Sequence, residues 1–189
     1  DTTIWDHVAE EISEDIISAD KILAKPDAKI VPSRFENSAS GYVYDMENNV
    51  IYRGLSKIKF ITASAAEKIS QLGKNRSKYK YFVQLLADIE NKSVINSKQL
   101  EILICLNYFS SFGNNKKLLN IYESFKTGKY RHTKSLKEES KAGRLAMLIT
   151  TEENIPDERM IVTEQLAAEL AYTGEIQSIY PSLDKRYVY

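Results

Sequence analysis

Lysine and asparagine side chains recur in this chain at positions where short helices are expected to begin. Lys57 and Lys59 precede one such helix, and Lys116 and Lys117 open another. The first turn of a helix leaves backbone N–H groups unpaired and carries the positive end of the helix dipole. A lysine beside it adds a full charge, and this combination holds phosphate without reading bases. The pattern therefore predicts contacts to a sugar–phosphate backbone.

The charge distribution points to the same kind of partner. The formal net charge of the 189 residues is zero, yet residues 53–144 hold 19 Lys and Arg against 7 Asp and Glu. Residues 1–52 hold 4 against 11, and residues 145–189 hold 3 against 8. A basic segment between acidic flanks is typical of a protein that meets a polyanion.

Residues suited to catalysis or metal binding do not form a recognisable set. Cys105 is the only cysteine, and His7 and His132 are the two histidines, too few for the usual zinc site. Ser110 and Ser111 have no His and Asp in triad order, and no Asp-x-Asp pair stands on an expected strand. We expect no catalytic residue, no metal ligand and no cofactor in this chain.

The sequence also indicates in which cellular compartment the protein is expected. No apolar run approaches the length of a membrane-spanning helix, and the first residues do not read as a signal peptide. With a single cysteine, these features favour the cytoplasm and no membrane partner. The chain lacks an initiator Met and ends on the strand-like residues 186–189, so we interpret it as a piece of a longer protein.

Hydrophobic periodicity predicts a mainly α fold of short helices with a small β-hairpin. The hairpin joins residues 42–44 to 50–52, after an extended piece at 30–32. A Ser64/Glu67 capping box begins a helix that Gly73 ends. The other predicted helices are residues 4–23, residues 81–89, one capped by Asn96 or Ser97, one capped by Asn114 or Asn115, and residues 163–172.

These elements divide the chain into four parts. A helix and linker occupy residues 1–34, and the hairpin with helix-hairpin-helix-like units occupies 35–125. Residues 126–144 are polar, basic and poor in large apolar groups, which predicts a mobile loop. Residues 145–189 form a helical segment that leads to a following domain.

Several segments resemble the helix-hairpin-helix region of the alpha subunit of bacterial DNA polymerase III, a family C replicative polymerase. Gly54-Leu55-Ser56-Lys57-Ile58-Lys59 and the helix after it are similar to that family's first hairpin. Residues 96–104 and 107–114 are similar to two later motifs in the same order. The resemblance covers residues 35–125 and returns weakly over residues 169–181.

The chain departs from the family pattern at the turns. Phe60 and Thr62 stand where the hairpin has glycines, so the first hairpin is expected to be structural, with Lys57 and Lys59 still in contact with DNA. Asn107 stands where the family has another glycine, and asparagine tolerates positive φ better than most residues.

The resemblance implies a fragment that binds double-stranded DNA and packs on the rest of a polymerase chain. The palm that holds Mg²⁺ in that family lies upstream of this segment. The alternative is a protein-interaction module whose acidic flanks dock a replication partner, and an enzyme comes third because nothing in the sequence supports it. The candidate DNA-binding residues are Lys57, Lys59, Thr62, Ser64, Lys68, Asn107, Asn114, Asn115, Lys116 and Lys117.

Overall fold

A computed structural model describes residues 28–127 and 137–178, and it confirms a mainly α fold with a small sheet. The described strands and helices follow one another in the order β1 (Lys29–Val31), β2 (Val43–Asp45), β3 (Val50–Tyr52), α1 (Ala63–Gly73), α2 (Phe82–Lys92), α3 (Ser97–Cys105), α4 (Asn115–Thr127), α5 (Glu138–Asn154) and α6 (Val162–Thr173). Short 3₁₀ turns at Leu55–Lys57, Arg76–Lys78 and Ser110–Phe112 connect them.

The sheet has β3 at its centre. β2 runs antiparallel to β3, with Tyr44 opposite Ile51, so the predicted hairpin is confirmed. β1 pairs in parallel on the other edge, with Ile30 opposite Ile51. This second pairing was not predicted, because a parallel partner is set by tertiary packing rather than by a local turn.

Helices α1 to α5 bury one apolar core around an aromatic cluster. Phe35, Phe82 and Phe109 are fully buried, and the rings of Phe82 and Phe109 lie 5.4 Å apart. Tyr108 is also buried against them, so the interpretation of this aromatic cluster as core packing is confirmed. Each such side chain contributes about 2–3 kcal/mol of hydrophobic stabilisation, and together these contacts set the positions of the helix ends.

The predicted end of α1 at Gly73 is confirmed, whereas its predicted N-cap is wrong. The residue that caps its N-terminus is Thr62 rather than Ser64. Gly73 is the last helical residue, but a Cβ there would lie 1.9 Å from the carbonyl oxygen of Phe35. The glycine is therefore needed for close packing of the preceding segment, and not for a left-handed turn.

The predicted loop over residues 126–144 is wrong at residues 126–127 and 138–144, which are helical. Helix α4 continues through Thr127, and α5 begins at Glu138. Acidic residues in the first turn of α5 favour its dipole, and Leu148 packs into the core. The sequence of α5 has little hydrophobic periodicity, so the stability that this helix gains from packing on the core could not be predicted from it. Residues 128–136, and the helix predicted over 4–23, lie outside the described residues.

A membrane-spanning helix would have to be longer and more apolar than any helix found between residues 28 and 127 or between 137 and 178.

Candidate nucleic-acid interface

The segment between the 3₁₀ turn Leu55–Lys57 and α1 forms a tight hairpin. Ile61 N–H donates to the Ile58 carbonyl at 3.1 Å, and Phe60 adopts a left-handed conformation with φ of 70°. The turn therefore keeps its shape although no glycine stands at its tip. Lys57 and Lys59 are exposed on either side of Ile58.

Helix α1 begins with an open N-terminus. The hydroxyl oxygen of Thr62 accepts a hydrogen bond from Ala65 N–H at 3.2 Å. The N–H groups of Ala63 and Ser64 find no acceptor within the two described ranges, and no acidic residue stands in the first turn. These donors are free to bind an anion.

Helix α3 begins in the same way. The side chain of Asn96 accepts from Gln99 N–H at 2.9 Å, and Gln99 Oε1 accepts from Asn96 N–H at 3.0 Å. This reciprocal capping box confirms Asn96 as the cap. The first turn again lacks an acidic residue, and the N–H groups of Ser97 and Lys98 have no acceptor among the described residues.

The Gln99 side chain ties the hairpin to this helix end. Its Nε2 donates to the Phe60 carbonyl at 3.0 Å while its Oε1 caps α3, and the residue is buried. Gln99 was not among the sequence-predicted site residues, although the Asn-x-x-Gln spacing of a capping box identifies it. One side chain therefore fixes the hairpin relative to the N-terminus of α3.

The two open helix ends line one groove of about 450 Å³, which we call the hairpin groove. Three sequence-predicted residues, Thr62, Ser64 and Lys68, lie in its wall, and the turn after α2 closes the far side. Glu90 contributes a carboxylate to the lining, which opposes anion binding. The hairpin groove is defined by Thr62, Ser64, Ala65, Lys68, Ile89, Glu90, Ser93, Val94, Ile95, Asn96, Ser97 and Gln99.

The N-terminus of α4, also predicted to bind phosphate, is occupied by the protein itself. Asn114 N–H donates to the Asp157 carboxylate at 2.8 Å, and Lys117 N–H donates to the Glu158 carbonyl at 3.2 Å. Asn115 is only 2% exposed, and its Oδ1 accepts from Lys116 N–H and Met160 N–H. Backbone donors at this end are thus used internally.

The N-terminus of α2 is closed by a distant carboxylate. Glu152 on α5 accepts from Phe82 N–H at 2.8 Å and from Val83 N–H at 2.9 Å, and it is 6% exposed. No sequence signal identified this contact, because the partners are separated by about seventy residues. The carboxylate takes the position that a bound anion would otherwise occupy.

The lysines beside the N-termini of α1, α3 and α4 fall into two separate groups. Lys68 lines the hairpin groove, and Lys98 follows Ser97 at the N-terminus of α3. Lys116 and Lys117 stand beside Asn115, whose Nδ2 donates to the carbonyl of Cys105 at the opposite end of α3. A nine-residue helix is about 13 Å long, so the two groups lie at different ends of the same helix.

Asn107 lies outside the hairpin groove, just beyond α3. It adopts a φ of 57°, and its carbonyl accepts from Arg34 Nη1 at 3.4 Å. The left-handed turn that the asparagine was expected to tolerate is therefore present.

A buried carboxylate on α6 anchors the residues that follow this helix. Glu169 accepts from Gln177 N–H at 2.7 Å, from Ser178 N–H at 2.8 Å and from Gln165 Nε2 at 2.8 Å. Burial alone would raise the pKa of Glu169, but the hydrogen bonds from Ser178, Gln165 and Gln177 outweigh it and lower the pKa. On the same helix, the carbonyl of Tyr172 accepts from Lys59 N–H at 2.8 Å, so α6 supports the hairpin directly.

Potential metal ligands are not clustered in the described ranges, where no group of three His, Cys, Asp or Glu side chains comes together.

Comparison with known proteins identifies the motif. Residues 28–119 match the family model of the helix-hairpin-helix motif, and this range contains the hairpin, both open helix ends and the groove between them. No curated protein matches the chain with significance. Residues 28–119 therefore contain a helix-hairpin-helix motif, which supports DNA binding without sequence specificity by this part of the chain.

Proposed function

We propose that the hairpin groove binds the phosphate backbone of duplex DNA, and that the chain serves this purpose within a replicative DNA polymerase. The observation that carries the proposal is the convergence of two open helix N-termini on one groove inside the matched motif. Backbone N–H groups and lysines at such a site hold phosphate without reading sequence.

The proposed contact set differs from the one that the sequence indicates. Lys57, Lys59, Thr62, Ser64 and Lys68 remain in it, because they lie on the hairpin or in the groove wall. Asn96, Ser97 and Lys98 join it, because they form the second open helix end.

Five of the sequence-predicted residues leave the set. Asn115 is buried, and Asn114, Lys116 and Lys117 surround a helix end whose donors are already bonded. Asn107 also leaves, because it lies beyond the other end of α3.

The salt dependence of duplex binding by the full chain tests the phosphate contacts. With about five phosphates neutralised, the slope of log K against log salt is expected near −4 to −5. Replacing Lys57 and Lys59 by Ala should reduce the slope by about 1 to 2. The matched control, Lys116 and Lys117 to Ala, removes the same charge and should leave the slope unchanged.

A flat salt dependence in the wild-type chain would contradict the proposal. Retention of a stable protein partner together with such flat binding would favour the alternative, a module that docks a replication partner.

The polymerase assignment rests on the resemblance over residues 35–125 and on the motif order within it. It carries with it the remaining expectations: a cytoplasmic protein, the rest of the polymerase chain as a partner, and Mg²⁺ held by the palm of the parent rather than by this segment. The full open reading frame tests it, because an upstream palm with paired carboxylates is expected. An open reading frame without one would refute the assignment and leave the DNA-binding proposal standing.

A further inference from the structure

The residue at the tip of the hairpin is an exposed aromatic in an unfavourable backbone conformation. Phe60 is 58% exposed and has a φ of 70°. A bulky side chain rarely adopts this conformation, and such strain persists only where the surrounding structure enforces it. A glycine at this position would be unstrained, so the ring is retained at a cost to folding.

The backbone on both sides of the ring is held by neighbouring elements. The Phe60 carbonyl accepts from Gln99 Nε2 at 3.0 Å, and the preceding N–H of Lys59 donates to the Tyr172 carbonyl at 2.8 Å. Helices α3 and α6 therefore fix the tip from two directions. The Phe60 side chain stays exposed, and its carbonyl is bonded to Gln99, which lines the hairpin groove.

The ring itself is oriented by two further contacts. Lys98 Nζ lies 3.7 Å from the centre of the ring, and the Tyr172 ring meets it edge-on with centres 6.4 Å apart. A cation over one face supplies positive charge for a nearby phosphate. An oriented ring also loses little conformational freedom when it contacts a base.

We propose that Phe60 stacks on an unpaired or unstacked base at a gap in duplex DNA, while the hairpin groove holds the adjoining phosphates. This inference rests on the proposed backbone-binding function. Stacking of a base on an aromatic side chain is worth roughly a five- to hundredfold gain in affinity. Opening an intact base step costs as much or more, so the gain is realised only where the stack is already interrupted.

The test compares binding of the full chain to a continuous duplex and to the same duplex with a short single-strand gap, which carries 2-aminopurine. The wild-type chain should bind the gapped duplex roughly five- to tenfold more tightly, with a change in 2-aminopurine fluorescence. Phe60→Gly and Phe60→Leu should bring the ratio of affinities close to one, whereas Phe60→Trp should keep it. Phe60→Leu is the matched control, since it keeps an apolar side chain but has no ring.

Thermal unfolding separates the role of the ring from a role in folding. Phe60→Gly relieves the backbone strain and should unfold at the same temperature as the wild type or above it, while losing the preference for gaps. A wild-type ratio of one, or a ratio unchanged in Phe60→Gly or Phe60→Leu, would overturn the inference. If the wild type binds both duplexes equally well with normal salt dependence, the stacking inference is wrong but the proposed function stands. If it binds neither duplex, the proposed function is wrong as well.

Discussion

The N-termini of α1 and α3 differ from those of α2 and α4 in whether distant residues accept hydrogen bonds from their backbone N–H groups. At α1 and α3 the cap comes from the adjacent residue, Thr62 or Asn96, and the next two N–H groups have no acceptor among the described residues. At α2 and α4 the N–H groups are bonded by Glu152, Asp157 and the backbone of residue 158.

This contrast shows that a helix N-terminus is available to an anion only when the rest of the fold leaves its N–H groups without acceptors. All four ends carry unpaired donors by their geometry alone. The segment from Glu152 to residue 158 removes two of them by supplying its own negative charge and carbonyl groups. What remains open is the pair of ends that meets in the hairpin groove.

The largest loss of stability is expected from removing Glu152, the carboxylate that closes the N-terminus of α2. Glu152→Ala leaves the N–H groups of Phe82 and Val83 buried without acceptors, which should lower the free energy of unfolding by about 3 kcal/mol. Urea denaturation measures this loss. The salt slope of DNA binding should not change at temperatures where the variant is folded.

The control for that experiment is the exposed neighbour. Glu153→Gln should cost less than about 0.5 kcal/mol. Equal effects of the two changes would contradict the view that Glu152 closes the end of α2.

A second prediction uses pH to probe Glu169, the buried carboxylate that binds the residues after α6. The folded pKa of Glu169 is lowered, so the native state binds fewer protons there than the unfolded chain. Its stabilising contribution is present above the unfolded pKa of about 4.3 and is lost as the pH falls through the lower folded pKa.

Glu169→Gln should therefore be less stable than the wild type at pH near 7, by about 1–2 kcal/mol. The difference should shrink as the pH falls below about 4, measured by urea denaturation across the pH range. Glu164→Gln, an exposed change on the same helix, is the control. A wild-type-to-variant difference that does not change with pH would contradict the assignment.

A smaller change in DNA affinity is expected from Glu90, in the groove that the open N-termini of α1 and α3 share. Glu90 lines the hairpin groove and repels phosphate there, so Glu90→Gln should raise duplex affinity by about two- to threefold at low salt. Glu123→Gln, an exposed change on α4 away from the groove lining, should not. Affinity unchanged by Glu90→Gln would exclude this groove as the path of the backbone.

Local signals in the sequence predict the elements well. The hairpin at 42–52, the cap at Asn96 and the buried face of α2 depend on turn chemistry and on apolar spacing. The left-handed turn at Asn107 follows from the tolerance of asparagine for positive φ.

The sequence could not predict that the N-termini of α2 and α4 are closed, because the residues that close them are distant in sequence. Glu152 and Asp157 reach their partners only after the chain has folded back over forty or more residues. In a sequence, an acidic residue is normally interpreted as an exposed charge. It can cap a distant helix only after tertiary packing brings the two together. The same limitation produced the error over α5, whose stability depends on contacts with the core.

Heteronuclear NMR can show whether the open ends of α1 and α3 bind DNA, by following backbone amide shifts while the full chain is titrated with a short duplex. We expect the amides of residues 63–65 and 97–99 to shift in a salt-dependent manner, and those of residues 114–117 to stay unchanged. Shifts at residues 114–117 with none at the two open ends would contradict this expectation.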